Sequence, residues 1–234
     1  MPRPSKKCLA TIIMNTNKYL TPFYTFLLTC LIPLSKLSAQ DWNYQVGINS
    51  AHFRYQSPMG LSQNSILADA GLHHSISLQN RLIDSSKTKS KFLKKLNYQV
   101  GISINQFNSV GETQSIPFSY SSTYAGIKLG LGVKSNLGKG FSLSYGGQIH
   151  VNKLVLGSQK MGNQVFSLQG NAQFKRIQWQ LGGELKLAKK VNAQTALYAF
   201  FAKTWQLNTI QQDGSQFAIN PTSFGFGIQY TPLQ

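Results

Sequence analysis

Acidic side chains are scarce in this 234-residue chain: 6 Asp and Glu stand against 23 Lys and Arg, and only 12% of residues are charged. The net charge of +17 raises nucleic acid as a partner. The basic residues form no single stripe, however, and no nucleic-acid motif accompanies them, so that reading is set aside. Cysteine is scarcer still. Cys8 and Cys30 are the only two, so the chain beyond them has no disulfide, no thiol nucleophile and no cysteine-based zinc site. No stretch after residue 40 approaches 18 continuous apolar residues, which excludes a membrane-crossing helix there.

What is present begins with an export signal, expected over residues 1–39. Residues 1–19 carry positive charge and no acid, an apolar stretch runs from Leu20 to Leu34, and Ser38 and Ala39 supply small residues at the cut. That order marks a signal peptide. The apolar stretch is 15 residues and contains Pro22 and Pro33, short of the ~20 that a spanning helix needs. Leu27-Leu28-Thr29-Cys30 half resembles a lipidation site, but Thr29 is bulky and an apolar run follows. Removal of the segment takes Arg3, Lys6, Lys7, Lys18 and Lys36 with it, leaving 18 basic residues and a net charge of +12 over 40–234.

Beyond residue 40 the dominant pattern has period two. Trp42, Tyr44, Val46 and Ile48 alternate with Asn43, Gln45, Gly47 and Asn49. The same alternation marks strands at 72–79, 97–104, 127–134, 141–151, 179–187 and 224–230. An eighth strand, 194–207, is apolar on both faces, and its facing stays open. Alternation gives each strand one apolar and one polar face. The polar face is Asn, Gln, Ser and Gly rather than Lys and Glu, as suits the tight interior of a small barrel. The apolar runs approach the ~9–11 residues that a tilted strand needs to cross a bilayer. Trp42, Tyr44, Tyr55, Tyr98, Phe107, Tyr124, Phe141, Trp205 and Tyr230 lie at strand ends, where interfacial girdles are expected. Long polar connections at 56–69, 108–122, 156–175 and 208–221 alternate with short turns at 136–140 and 189–192. Val165 to Lys175 either extends strands above the membrane or is loop. These features predict an all-β fold: an eight-stranded antiparallel transmembrane up-and-down β-barrel over 40–234, in a bacterial outer membrane. Asn43-Tyr-Gln-Val-Gly-Ile48 recurs as Asn97-Tyr-Gln-Val-Gly-Ile102, and both copies begin strands expected to run outward.

The Ser38-Ala-Gln40 junction, the eight amphipathic strands and the closing Phe224-Gly-Phe-Gly-Ile-Gln-Tyr230 resemble small outer-membrane β-barrel proteins of the OmpA/OmpX-like superfamily. More narrowly, the chain resembles the porin-like or PorT-like barrels of Bacteroidota. The last strand looks like the signal read by barrel-assembly machinery, with Tyr230 as its late aromatic, although Thr-Pro-Leu-Gln follows it. The resemblance implies a barrel in outer-membrane lipid. It does not choose among adhesins, scaffolds, secretion subunits and enzymes.

Candidate sites are few. Glu184 is the acidic residue in a clear strand interior, on the polar face with Lys128 and Lys186 available. A buried carboxylate should be paired, so the three are read as a lumen ion pair rather than a catalytic group. His52, His73 and His74 are expected close together at the outer rim, with Asp69 the nearest acid; they are read as hydrated polar residues rather than a metal or acid–base site. No cofactor is expected, and eight strands leave no wide channel. Asp84 to Lys95 is a long basic connection at the periplasmic end. Its Lys87, Lys89, Lys91, Lys94 and Lys95, joined by Lys139, Lys189 and Lys190, either anchor on anionic headgroups or dock an acidic periplasmic or outer-membrane protein partner. Together these readings favour a nonenzymatic structural or interaction barrel, an accessory subunit of a larger envelope or secretion complex. A narrow-pore or ligand-binding barrel and a lipid-modifying enzyme are the alternatives.

Overall fold

A computed structural model describes residues 40–59, 66–83, 89–113, 116–171, 174, 176–208, 210–212 and 215–232. The expected export signal, 1–39, lies outside the described residues, as does Lys87.

Period-two sequence becomes strand: β1 (Asp41–Gln56), β2 (Leu67–Arg81), β3 (Leu96–Thr113), β4 (Ile116–Gly138), β5 (Phe141–Met161), β6 (Gln164–Ser167), β7 (Gln178–Lys190), β8 (Thr195–Gln206), β9 (Ile210–Gln212) and β10 (Ser215–Tyr230). Eight of them form a closed antiparallel ring in the order β1-β2-β3-β4-β5-β7-β8-β10, with β10 paired back onto β1. The short β6 and β9 pair with β5 and β10 outside that ring. Closure leaves the ring with no open sheet edge through its membrane-crossing part, so the backbone there pairs strand to strand without water. The ladders run from Ser50 through Thr222, Lys203, Gly183, Gly147 and Leu131 to Tyr98 and Asn80. They return to β1 next to Asp41, a stagger of about ten residues that tilts the strands.

The alternation sorts side chains as the sequence requires. On β1, Trp42, Tyr44, Val46 and Ile48 are exposed, while Asn43, Gln45 and Asn49 are buried. On β3, Val100, Ile102 and Ile104 face out against Gln99, Ser103 and Asn105 within. A continuous apolar belt of this size is untenable in water and is what lipid selects. Trp42, Tyr145 and Tyr230 lie toward one end of the belt, and Trp179 and Trp205 toward the other. β8 has Leu197, Phe201 and Trp205 outward and Tyr198, Phe200, Ala202 and Thr204 inward.

Turns at one end are short. Gly138, Lys139 and Gly140 all take positive φ between β4 and β5. Between β7 and β8 the Asn192 side chain accepts from the Gln194 and Thr195 amides at 2.9 and 2.7 Å, the Asx geometry that reverses a chain locally. This is the periplasmic end. At the other end the long connections expected at 108–122 and 208–221 are largely strand. β3 continues to Thr113, β4 begins at Ile116, and β10 begins at Ser215. Part of 156–175 also pairs: β5 reaches Met161, turns at Gly162, and returns as β6. β4 therefore spans 23 residues, about twice what a bilayer crossing needs, and the excess stands outside the membrane. There the outer face no longer meets lipid, so it carries polar residues and the strands read as loop.

Three expected girdle aromatics are not in the girdle. Phe107 and Tyr124 are fully buried within the barrel, and Tyr55 packs on the same inner cluster. With Phe53, Phe118, Phe217 and Ile219 they build an apolar core inside the outer end. Leu168 and Phe174, from the segment between β6 and β7, are buried in it. Phe174 lies 4.9 Å from Phe217 and 5.8 Å from Tyr120 between ring centroids, so these two side chains help fill the outer end.

Candidate functional site

Below the aromatic core the lumen is polar, and its centre is one carboxylate between two ammoniums. Glu184 on β7 accepts from Lys128 Nζ at 2.6 Å through Oε1 and pairs with Lys186 Nζ at 2.9 Å through Oε2. The structure thus brings together all three residues expected at a lumen ion pair. Their spacing explains why: Glu184 and Lys186 are two apart on β7 and share its inner face, and Lys128 reaches across from β4. All three are nearly inaccessible to solvent. Attraction between such charges is strong, but so is the cost of taking them out of water, and the pairing offsets that cost only when hydrogen bonds complete it.

The recurring hexapeptide supplies those bonds. Gln45, in the first copy, donates through Nε2 to Glu184 Oε1 at 2.9 Å and accepts from Lys128 at 3.2 Å. Gln99, the same position in the second copy, accepts from Lys186 at 3.0 Å. Each glutamine also bonds a serine of β2, Ser75 or Ser77. The repeat therefore places one glutamine on each lysine of the ion triad. This role was invisible in the sequence, where the echo fixed strand direction and not partners.

Tyr198 completes the floor. The Lys186 ammonium sits 5.6 Å from its ring centroid, and its hydroxyl donates to the Tyr44 carbonyl at 3.2 Å. Gly227 leaves room for the ring: a Cβ there would collide with it. Gly227→Ala is therefore expected to displace Tyr198 and cost about 1–3 kcal/mol, read as a lower urea midpoint for the folded barrel in detergent.

The histidines do not gather as expected. His73 and His74 are adjacent in β2 and so point to opposite faces. His73 is buried in the lumen, where its Nδ1 lies 2.7 Å from Asn105 Oδ1. His74 is on the outer face, its Nδ1 3.2 Å from the Tyr44 hydroxyl. His52 is exposed higher on β1, opposite Asn220. Asp69 bonds the neighbouring Ala70 amide. Instead His73 shares a cavity of about 10 Å³ with His150, Gln148, Lys128 and Glu184, room for about one water. A second cavity, about 30 Å³, lies between Gln99, Gly130, Gly146 and Lys186. Among the described residues no group of three or more His, Cys, Asp or Glu is placed to hold a metal.

At the periplasmic end Lys89, Lys91, Lys94 and Lys95 are exposed. The last two lie in a 3-10 turn, Leu93–Lys95, that leads into β3. Lys139, Lys189 and Lys190 are exposed on the neighbouring turns, and Lys189 lies 5.4 Å from the Phe141 ring.

A closed ring of eight strands, an apolar outer belt, aromatic residues toward both borders of it and a filled interior are the build of a small bacterial outer-membrane barrel. No protein-family model matches the chain, and neither does any curated protein. Among solved structures it is similar to Neisserial surface protein A, at 13% identity over 81% of this chain and 97% of that one, with a TM-score of 0.42. It is also similar to the outer membrane protein OprG from Pseudomonas aeruginosa, at 11% identity over 83% and 98%, TM-score 0.42. A third is the outer membrane protein AlkL in lipid bilayers, at 13% identity over 84% and 92%, TM-score 0.43.

Proposed function

We propose that this barrel is a structural or interaction protein of the outer membrane, an accessory subunit that docks an acidic partner on its basic periplasmic end. The observation that carries this reading is the filled lumen. The ion triad occupies its middle, the aromatic core its outer end, and the cavities between them take one or a few waters. A barrel sealed in this way acts through its surfaces. Glu184 is held by Lys128, Lys186 and Gln45 beside cavities with room for one or a few waters, which favours a nonenzymatic role. The exposed lysines at the periplasmic end have no structural task in closing the ring. They attract acidic surfaces over ~8 Å at physiological salt, which speeds and orients docking more than it tightens it.

The test is co-purification in gentle detergent. Changing Lys87, Lys89, Lys91, Lys94 and Lys95 together to Gln is expected to leave heat-modifiable gel mobility intact and to deplete a stoichiometric periplasmic or membrane partner. Raising the salt should deplete it from the wild type in the same way. An unchanged partner list under both treatments would reduce the lysines to headgroup anchors. Single-channel conductance in the wild type would favour a narrow pore instead, and altered lipid A in a deletion strain a lipid-modifying enzyme.

A further inference from the structure

The lumen from the ion triad down to the periplasmic rim is short of anions. Among the described residues, its inner face carries Lys128, Lys186, Lys134, Lys190 and Arg81 against Glu184 and Asp41. Both acids are engaged. Glu184 holds the two triad lysines and Gln45, and Asp41 accepts from Gln229 and from the Thr231 hydroxyl. Lys134 Nζ comes no nearer to Asp41 than 4.0 Å. An excess of one sign between low-dielectric walls focuses the field and concentrates the opposite charge there.

The registers gather part of this charge around one recess. Lys134 of β4 pairs with Ser144 of β5, and Ser144 pairs with Lys186 of β7, so the two lysines share a ladder with ~10 Å between their strands. The next inward ladder is Arg81, Asn97, Gly132, Gly146 and Glu184. Its two glycines, with Gly130 beyond them, leave the cavity of about 30 Å³ that Ser144, Gln148 and Lys186 also line. Gln148 Oε1 is buried there without a hydrogen-bond partner, and an orphaned polar atom beside open space is completed by a polar guest. Exposure rises toward the rim: the Lys186 side chain is 9% exposed and that of Lys134 34%, while Lys190 and Asn136 are exposed. The recess is therefore reached from the periplasm, because the aromatic core fills the other end. Its volume suits about two waters, or the two oxygens of one carboxylate, and is small for a tetrahedral phosphate.

We propose that this recess takes one carboxylate from an acidic, extended segment of the periplasmic partner. Lys186 and Ser144 meet the carboxylate, and Lys134 and Lys190 hold the acids that follow it at the mouth. The inference rests on the reading that the periplasmic end docks an acidic partner, and it places the anchor inside the lumen rather than on the turns.

The experiment is fluorescence anisotropy of a labelled hexaglutamate peptide with the detergent-purified barrel. Wild type is compared with Lys134→Gln plus Lys190→Gln, with Gly130→Val, whose methyls would occupy the recess, and with the five-lysine turn variant. Heat-modifiable mobility shows which of them are folded; the lysine pair lies at the rim and keeps the test open if Gly130→Val does not fold. Each folded lumen variant should bind the peptide about tenfold more weakly than wild type, and acetate should displace it from the wild type better than chloride does at equal ionic strength. Unchanged binding in any folded lumen variant overturns the recess. Stronger displacement by inorganic phosphate than by acetate overturns the choice of a carboxylate. Co-purification separates this inference from the reading beneath it. A partner lost from the turn variant but kept by the lumen variants leaves the docking surface and removes the recess, whereas a partner kept by the turn variant and in high salt removes the docking surface itself.

Discussion

Glu184→Gln is expected to destabilise the barrel by about 3–5 kcal/mol, the range for removing one partner of a buried ion pair. The substitution keeps the shape of the side chain and removes its charge. Lys128 and Lys186 would then share a nearly dry interior with no anion, since Gln45 and Gln99 offer them only neutral oxygens. The urea midpoint in detergent should fall sharply, and folding into vesicles should slow or fail. The companion variant replaces the whole triad, Lys128→Met, Glu184→Leu and Lys186→Met. Removing all three charges also removes their desolvation cost, so this variant should recover most of the loss. A Glu184→Gln barrel as stable as wild type would mean that the triad is not the electrostatic centre described here. One that folds normally yet loses all biological function would shift Glu184 from a structural to a catalytic or conducting role.

The strands crossing the membrane were legible because lipid and lumen impose opposite demands on alternate residues. Lys128, Glu184 and Lys186 could be assigned to one polar face for the same reason. Their hydrogen-bonding partners could not, because Gln45 and Gln99 reach them across the barrel, and cross-barrel contacts depend on stagger, which no local pattern encodes. Outside the bilayer the rule lapses. β3 runs on to Thr113 and β4 starts at Ile116 with polar residues such as Asn108, Ser119 and Ser121 on the outer face, so composition alone reads them as loop. Tyr55, Phe107 and Tyr124 illustrate the same limit from inside. Phe107 and Tyr124 have a polar residue or glycine, Asn105 and Gly126, two residues below them on the same face, while Tyr55 follows Phe53, and that break of phase, an aromatic on the lumen side, was the available signal for an apolar core. β8 was ambiguous because Tyr198, Phe200 and Ala202 make its inner face as apolar as its outer one. His73 and His74 were grouped by proximity in sequence, although adjacent strand residues must face opposite ways.

The membrane register itself is tested by two neighbouring residues on β4. Leu129 points out to lipid and is 44% exposed, directly beside Lys128, which sits at the centre of the lumen. It pairs with Val100 on β3 and Ile149 on β5, so apolar outward residues surround it. Leu129→Arg would place a guanidinium near the midplane of the bilayer, too far from either interface to reach headgroups. The expected cost is about 2–4 kcal/mol, seen as a loss of the folded, heat-modifiable band in vesicles. Gly130 points the other way. A Cβ at Gly130 would meet the Gly147 carbonyl oxygen at 3.5 Å and Gln99 Cβ at 3.6 Å, both ordinary contacts, and a hydroxyl there would join a polar surface. Gly130→Ser should therefore fold nearly as well as wild type. In a water-soluble sandwich of the same strands the order would differ, because an exposed arginine costs little and an interior serine more. Equal tolerance of the two substitutions, or greater harm from Gly130→Ser, would place the lipid on the wrong face and overturn the register from which every other assignment follows.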